Sequence, residues 1–354
     1  MQKSILVLFL LIFGVGVVNG QEDDRNQIIY INVDGYYTSL EPIEEFLGEV
    51  ITLLEVDGIQ VATQSGDYPS LVVIETSASG GYIGLGSAYP LIIANSTYLR
   101  THEGYGFNIP YVNDEQAVNI VVGIIHYILG NYETALEYFD DVLQEDNNSL
   151  AFTLNFYTAN THLALGNYEE AREIYQVLLS EYTRFTHFPS LINLSWIYFQ
   201  QNNIEDALEL FESEIADSEG LYKAVLLSYR ARLHALSLDY DSAIADIDEA
   251  ITLAEDNEID NLMLAELYTI RGEIIFLIYE WDRVEDNFDM AIALDPTYAR
   301  AYFQRGVLFY TMARREDAMV DFEQYLALDP DGIYAEQATS YIDSIEIELE
   351  ALGG

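Results

Sequence analysis

The sequence predicts a mainly helical chain, in which a small α+β domain is followed by six helix–turn–helix repeats and a C-terminal capping helix. One pattern of residue types returns six times between residues 116 and 332, while residues 21–115 do not follow it. Half of the residues, 50%, are hydrophobic, which suffices to bury a core although 60 Asp plus Glu face 14 Lys plus Arg, for a formal charge of -46.

Residues 1–20 come first. Lys3 precedes an apolar run from Ile5 to Val18, followed by Asn19, Gly20 and the polar QEDD. This reads as a secretory signal peptide, since the run is shorter than the roughly 20 residues that span a bilayer. An uncleaved N-terminal anchor is the alternative. The expected location is secreted, periplasmic or cell-surface, with no transmembrane span in the mature chain.

In residues 21–115, Ile28 to Val33 reads as a strand, and Ser39 can cap a helix from about Leu40 to Leu54 with Pro42 in its first turn. Asp57 and Gly58 turn the chain into a strand from Ile59 to Thr63. Leu71 to Thr76 and Tyr82 to Leu85 flank SASGG, a hairpin signal, and Leu91 to Ala94 forms a further strand. The outcome is a β-α-β-β-β unit that resembles no family.

The repeats start at Gln116, Phe152, Phe188, Ala224, Ala265 and Ala299, giving units 116-149, 152-185, 188-221, 224-257, 265-298 and 299-332. Their second halves align as GNYETALEYFDDVL, GNYEEAREIYQVLL, NNIEDALELFESEI, LDYDSAIADIDEAI, YEWDRVEDNFDMAI and ARREDAMVDFEQYL. Position 8, where helices cross closely, is always small: Gly123, Ala159, Ser195, Ala231, Gly272 and Gly306. Position 20, its counterpart on the second helix, is Ala135, Ala171, Ala207, Ala243, Val284 and Ala318. Position 24 is bulky: Phe139, Tyr175, Phe211, Ile247, Phe288 and Phe322. Position 17 is apolar or aromatic until Arg315 departs from it, and position 32 is Pro only at Pro296 and Pro330. Small against small with a large residue between, at fixed offsets, resembles the tetratricopeptide repeat over about two thirds of the chain. In residues 333-354, Ala335, Ala338, Ile342, Ile345 and Leu349 share one stripe, as a capping helix requires.

Several chemistries are disfavoured. With no Cys, thiolate zinc, iron–sulfur ligation and cysteine nucleophiles are excluded. Only two lysines, Lys3 and Lys223, exist, so no basic stripe can track nucleic acid. His126, His162 and His234 share repeat position 11 and read as semi-buried packing residues rather than metal ligands. His102 in HEGYG lacks the second His of a zincin helix, and GGYIGLG, ending at Gly86, does not open a helix. EDNEID and DPDG read as solvated loops, lacking the ligand order of an EF-hand. No GxSxG, Walker A or SxxK motif is present, and no catalytic residue, metal or cofactor is expected. Asn95, Asn147 and Asn193 begin N-x-[ST] sequons.

The resemblance implies that positions 2, 5, 9 and 12 of each first helix line a concave groove. Here they supply Ile120, Ile124, Tyr127, Phe156, Asn160, Ile192, Trp196, Phe199, Arg232, Phe276, Arg300, Phe303 and Tyr310, with Glu266 and Glu273. Relatives that grip an acidic carboxylate use a Lys, Arg and Asn cluster. Only Asn160, Arg232 and Arg300 resemble it, in separate repeats, so that mode is disfavoured. The expectation is an exported, non-enzymatic scaffold that binds a protein segment with apolar anchors and basic flanks, or else self-associates. The alternative makes residues 21–115 a small-ligand sensor or an unrecognised hydrolase, with the repeats as its docking arm.

Overall fold

A computed structural model describes residues 28–35, 41–58, 60–62, 70–77, 80–85, 106–109, 115–143, 151–181, 184–257, 261–330 and 332–353. The expectations for residues 1–20, Leu91 to Ala94, Asn95, His102 and Asn147 lie outside them. The described residues form two compact units, one ending at Gln201 and one beginning at Asn202.

The first unit opens with β1 (Ile28–Gly35), α1 (Glu41–Val56), β2 (Gln60–Ala62), β3 (Ser70–Ser77), β4 (Gly80–Leu85) and β5 (Gly106–Ile109). The sheet order is β2-β1-β3-β4-β5. β1 runs parallel to β2, pairing Ile28 with Gln60, and parallel to β3, pairing Ile31 with Val72. Parallel neighbours cannot be joined by a tight turn, which is why α1 stands between β1 and β2. β3 to β5 are antiparallel, and Ser77 opposite Gly80 closes the hairpin that SASGG signals. The strands and helix expected between Ile28 and Leu85 are present, with ends within two residues of expectation. β5 was not expected, because GFNI is short, holds a glycine and lacks the β-branched alternation that marks a strand.

The first unit continues with the helix pairs α2 (Glu115–Ile128) and α3 (Tyr132–Leu143), α4 (Ala151–Ala164) and α5 (Tyr168–Glu181), and then α6 (Arg184–Gln200). The second unit holds α7 (Ile204–Ala216), the pairs α8 (Gly220–Leu236) and α9 (Tyr240–Asp256), α10 (Asn261–Phe276) and α11 (Trp281–Leu294), α12 (Ala299–Thr311) and α13 (Arg315–Leu328), and last α14 (Ala335–Gly353).

The residue types at fixed offsets account for these pairs. The position-20 residues Ala135, Ala171, Ala207, Ala243, Val284 and Ala318 are fully buried, as are the position-24 rings of Phe139, Tyr175, Phe211 and Phe322. A Cβ at Gly123, Gly272 or Gly306 would lie 2.5, 2.6 or 2.8 Å from a ring carbon of Phe139, Phe288 or Phe322. Position 8 is therefore small because the position-24 ring of the same pair occupies its space. Each buried phenylalanine contributes about 1.5–3 kcal/mol of apolar transfer free energy, so the exclusion of a side chain opposite it is strongly selected by packing.

Each first helix ends with position 15 in the left-handed region, among them Gly130 at φ 81° and Gly166 at φ 79°. That geometry lets the next N–H satisfy a terminal carbonyl: Asn131 donates to the His126 carbonyl at 2.9 Å and Asn167 to that of His162 at 2.9 Å. α14 closes the second unit. Ala338 and Ile345 are buried in its core, with Ala335, Ile342 and Leu349 packed against it, and Tyr341 stacks on Phe322 at 4.8 Å. Arg315, the departure at position 17, lies over the Tyr310 ring at 4.1 Å and pairs with Glu348 of α14 at 2.5 Å, so the exchange of an aromatic for a cation ties the capping helix down.

Candidate functional site

The stripe expected to line a groove starts on α2. Ile120, Ile124, Tyr127, Phe156, Asn160 and Ile192 are buried in the first unit, whereas Trp196 and Phe199 on α6 are half-buried. In the second unit Arg232, Arg300 and Phe303 are buried, and Phe276 and Tyr310 are half-buried. Nine of these thirteen residues thus lie inside the protein rather than on a surface.

Packing on neighbouring helices explains the burial. The Tyr127 ring meets Tyr157 edge-on at 5.7 Å and Tyr132 at 5.8 Å, while Phe156 stacks on Phe152 at 6.0 Å. Trp196 meets Tyr168 edge-on at 5.7 Å, which fixes the indole while leaving part of it in water. Phe303 stacks on Tyr334 at 4.4 Å and belongs to the core. Tyr310 donates to Glu348 at 3.1 Å and is partly covered by α14.

The polar members are engaged with one another. Asn160 accepts hydrogen bonds from the Tyr175 hydroxyl and from Asn193 Nδ2, the latter at 2.7 Å, and Asn193 also donates to the Tyr175 oxygen at 2.9 Å. Burial holds the Tyr175 hydroxyl far above the ordinary phenol range. In the second unit Arg300 binds both carboxylate oxygens of Glu273, at 2.9 Å from Nε and 2.9 Å from Nη2. Gln304 donates to the same carboxylate at 2.8 Å, and Arg232 stands 3.9 Å from Glu266. Burial pushes the Glu273 carboxyl up, with Arg300 and Arg232 opposing it, and the fork contact keeps Arg300 charged. Arg232 and Arg300 therefore do not present their cations to a ligand. Asn193 at position 6 falls off the stripe as drawn from positions 2, 5, 9 and 12; the pairing of Arg300 with Glu273 was missed because both were expected to line the groove, although opposite charges at positions 2 and 9 of adjacent repeats are a signal for it.

The scarce arginines serve as staples elsewhere too. Arg230 grips Asp246 through two bonds of 2.7 Å, and Arg305 grips Asp321 through two of 2.8 Å, at repeat positions 7 and 23 in both. In the repeat between them position 23 is Asn287, and Arg271 turns instead to Asp248 at 2.8 Å. Among the described residues these arginines are held by internal partners, and acidic residues outnumber them on the exposed surface.

His126 ties α1 to α2. Its Nε2 and the Tyr138 hydroxyl both bind Asp57 Oδ2, at 3.0 and 2.8 Å, and the imidazole stacks on Tyr138 at 5.6 Å. Burial lowers the His126 pKa and Asp57 opposes that effect. His162 faces Asn167 at 3.4 Å and His234 faces Asp239 at 3.7 Å, so the three stand at turns between paired helices. Among the described residues no group of three or more His, Cys, Asp or Glu side chains is placed to hold a metal ion, and no helix is long and apolar enough to cross a membrane.

This geometry, small residues under aromatic rings in successive helix pairs, defines a helical-repeat protein. Models of the tetratricopeptide repeat family match residues 127–185, 190–223 and 299–331, so the chain carries tetratricopeptide repeats in these segments. Human mitochondrial import receptor subunit TOM70 is 29% identical over 139 residues, 39% of this chain and 22% of TOM70. Mouse RNA polymerase II-associated protein 3 is 31% identical over 140 residues, 38% of this chain and 20% of its own. The chain thus spans about a fifth of the length of these relatives. A solved tetratricopeptide repeat protein of Parabacteroides merdae aligns with 65% of this chain and 84% of its own at 20% identity and a TM-score of 0.49.

Proposed function

We propose that this protein is an exported, non-enzymatic scaffold that holds a segment of another protein against the first helices of its repeats. Export rests on the composition of residues 1–20, and the scaffold role on the family. The observation that carries the groove reading is the placement of Trp196 and Phe199, half-exposed on one stripe of α6, the indole pinned by Tyr168. A rigid, partly wet aromatic pair is the kind of anchor on which binding energy concentrates. A net charge of -46 speeds encounter with cationic flanks on the incoming segment.

The test is affinity capture from native secreted and envelope extract with the full chain and with a Trp196→Ala, Phe199→Ala variant. Phe303 is unsuitable as a groove probe because it is core. Loss of one dominant partner by the folded variant supports the reading; equal capture by both baits sinks it.

A further inference from the structure

The turn between paired helices carries one residue at repeat position 15 with a left-handed backbone. Beyond Gly130 and Gly166 these are Asn202 (φ 58°), Leu238 (φ 66°), Tyr279 (φ 63°) and Ala313 (φ 60°). Glycine adopts this conformation freely and asparagine tolerates it, but a larger side chain brings its Cβ against the backbone. Leu238 and Tyr279 are the bulky cases, and they are 68% and 72% exposed. Each is unfavourable twice over, as a strained backbone and as apolar surface in water. The fold recovers little from them, apart from an edge contact of Tyr279 with Trp281 at 5.5 Å.

Two further features coincide there. Leu238 is followed by the exposed acids Asp239 and Asp241, and Tyr279 by the exposed acids Glu280 and Asp282, at the same offsets. Both turns lie in the second compact unit, in consecutive repeats, at equivalent positions. The left-handed turn itself closes the helix, Asp239 N–H donating to the His234 carbonyl at 2.9 Å, but Gly130, Gly166 and Asn202 make the same turn in the earlier repeats, so what the fold does not require is a bulky apolar side chain there.

We propose that this turn edge of the fourth and fifth repeats is a docking surface for a cationic segment of another protein that carries apolar side chains between its lysines or arginines. Leu238 and Tyr279 supply the apolar contacts and the four carboxylates the charge, Arg283 offsetting only Glu280. The occupant follows from charge: at -46 a second copy of this chain meets its own field, whereas a basic segment is drawn in. The surface shares no residue with the pair Trp196 and Phe199, so neither reading depends on the other.

The experiment compares the full chain with a Leu238→Asn, Tyr279→Asn variant, which installs the residue that the third repeat already uses as Asn202. The probe is a fluorescein-labelled amphipathic lysine–leucine dodecapeptide, with an all-lysine dodecapeptide as the charge-only control, read by anisotropy, and melting temperature is measured in parallel. The expected result is a loss of about tenfold or more in affinity for the amphipathic peptide. Binding of the all-lysine peptide stays unchanged and the melting temperature is equal to or above that of the wild type. The Trp196→Ala, Phe199→Ala variant keeps full affinity for the probe. The proposal is overturned if the amphipathic peptide fails to bind the wild type or binds both proteins equally, or if the Asn variant melts several degrees lower. It is likewise overturned if the groove variant alone loses the probe, or if the wild type forms a concentration-dependent dimer that the Asn variant abolishes.

Discussion

Gly272 faces the ring of Phe288 with no room for a side chain between them: a Cβ at 272 would lie 2.6 Å from Cε1 and 2.9 Å from Cδ1 of that ring. The same relation joins Gly123 to Phe139 and Gly306 to Phe322. Because the ring is buried and its neighbours are close-packed, it has little freedom to withdraw. Gly272→Ala is expected to cost about 1–3 kcal/mol in urea unfolding, the ordinary penalty of overpacking. Adding Phe288→Leu should recover part of that loss, although Phe288→Leu alone is destabilising. Equal and additive losses in the two single variants and the double would mean that the contact does not set the residue type.

The fork of Arg300 on Glu273 is buried on both sides, at 7% side-chain exposure each. Removing one partner strands the other charge in a medium that solvates it poorly, so Glu273→Gln should cost about 3–5 kcal/mol. Replacing both residues by apolar ones of similar volume should cost less than the single change, since no unpaired charge is left. A thermodynamic cycle over Glu273→Met, Arg300→Leu and the double variant measures this directly. A double variant no more stable than the worse single variant would contradict it.

These two relations also show how far the sequence could be read. The small residues at positions 8 and 20 and the bulky one at position 24 were legible because packing fixes residue size, and size can be read from one chain; that position 8 faces the ring of position 24 rather than position 20 was not, because size alone does not say which side chain fills the space. The capping stripe from Ala335 to Leu349 was legible for the same reason, through its helical period. The exposure of the groove was not. Periodicity says which way Ile120, Arg232 or Phe303 points, but not what lies on the other side, and the answer was ring contacts on adjacent helices and an internal ion pair. The strained turns at Leu238 and Tyr279 were invisible for another reason. The αL position is marked by glycine in the first two repeats and by asparagine in the third, and the last three fill it with Leu238, Tyr279 and Ala313, which give no such signal.

His126 makes stability depend on pH. Its pKa in the fold lies below the ordinary value of about 6.5 because burial disfavours the imidazolium, Asp57 offsetting part of this. The unfolded chain therefore binds the proton more readily than the fold. This contribution to stability is complete above about pH 6.5 and is lost as pH falls from there toward the lower folded-state pKa. His126→Gln keeps a donor toward Asp57 and cannot titrate. The fall in melting temperature between about pH 7 and 5.5 should accordingly be smaller in this variant than in the wild type. Parallel curves for the two proteins over that window would remove His126 from the account.

Asn193 begins a sequon, yet the residue is 6% exposed and its amide donates to both Asn160 and Tyr175. A glycan at Nδ2 would need that nitrogen in solvent and would break both bonds. Once the helices have formed, the site is closed to modification. Expression in a glycosylating host should leave Asn193 unmodified in the folded product, as peptide mass spectrometry will show. Asn193→Leu, which leaves the Asn160 carbonyl and Tyr175 hydroxyl with one fewer partner, should lose about 1–3 kcal/mol. Full occupancy of Asn193 in a natively folded product would show that the buried triad does not form.

The excess of 60 acidic over 14 basic residues acts against the fold through its own field. Salt shortens the reach of that field from about 30 Å at 0.01 M to about 3 Å at 1 M. The same salt weakens ion pairs, so the net effect is the balance of the two. The exposed pairs, such as Arg283 with Glu280, contribute about 0–1 kcal/mol each, so little is lost when they are screened. The buried fork of Arg300 on Glu273 is out of reach of the counterions. Repulsion among the many unpaired carboxylates is therefore the larger quantity that salt removes. The melting temperature should rise steadily with sodium chloride between about 0.01 and 1 M, and more steeply with calcium, which concentrates at a carboxylate-rich surface. A melting temperature that stays flat across that range would show that the carboxylates are spaced widely enough for water alone to screen them.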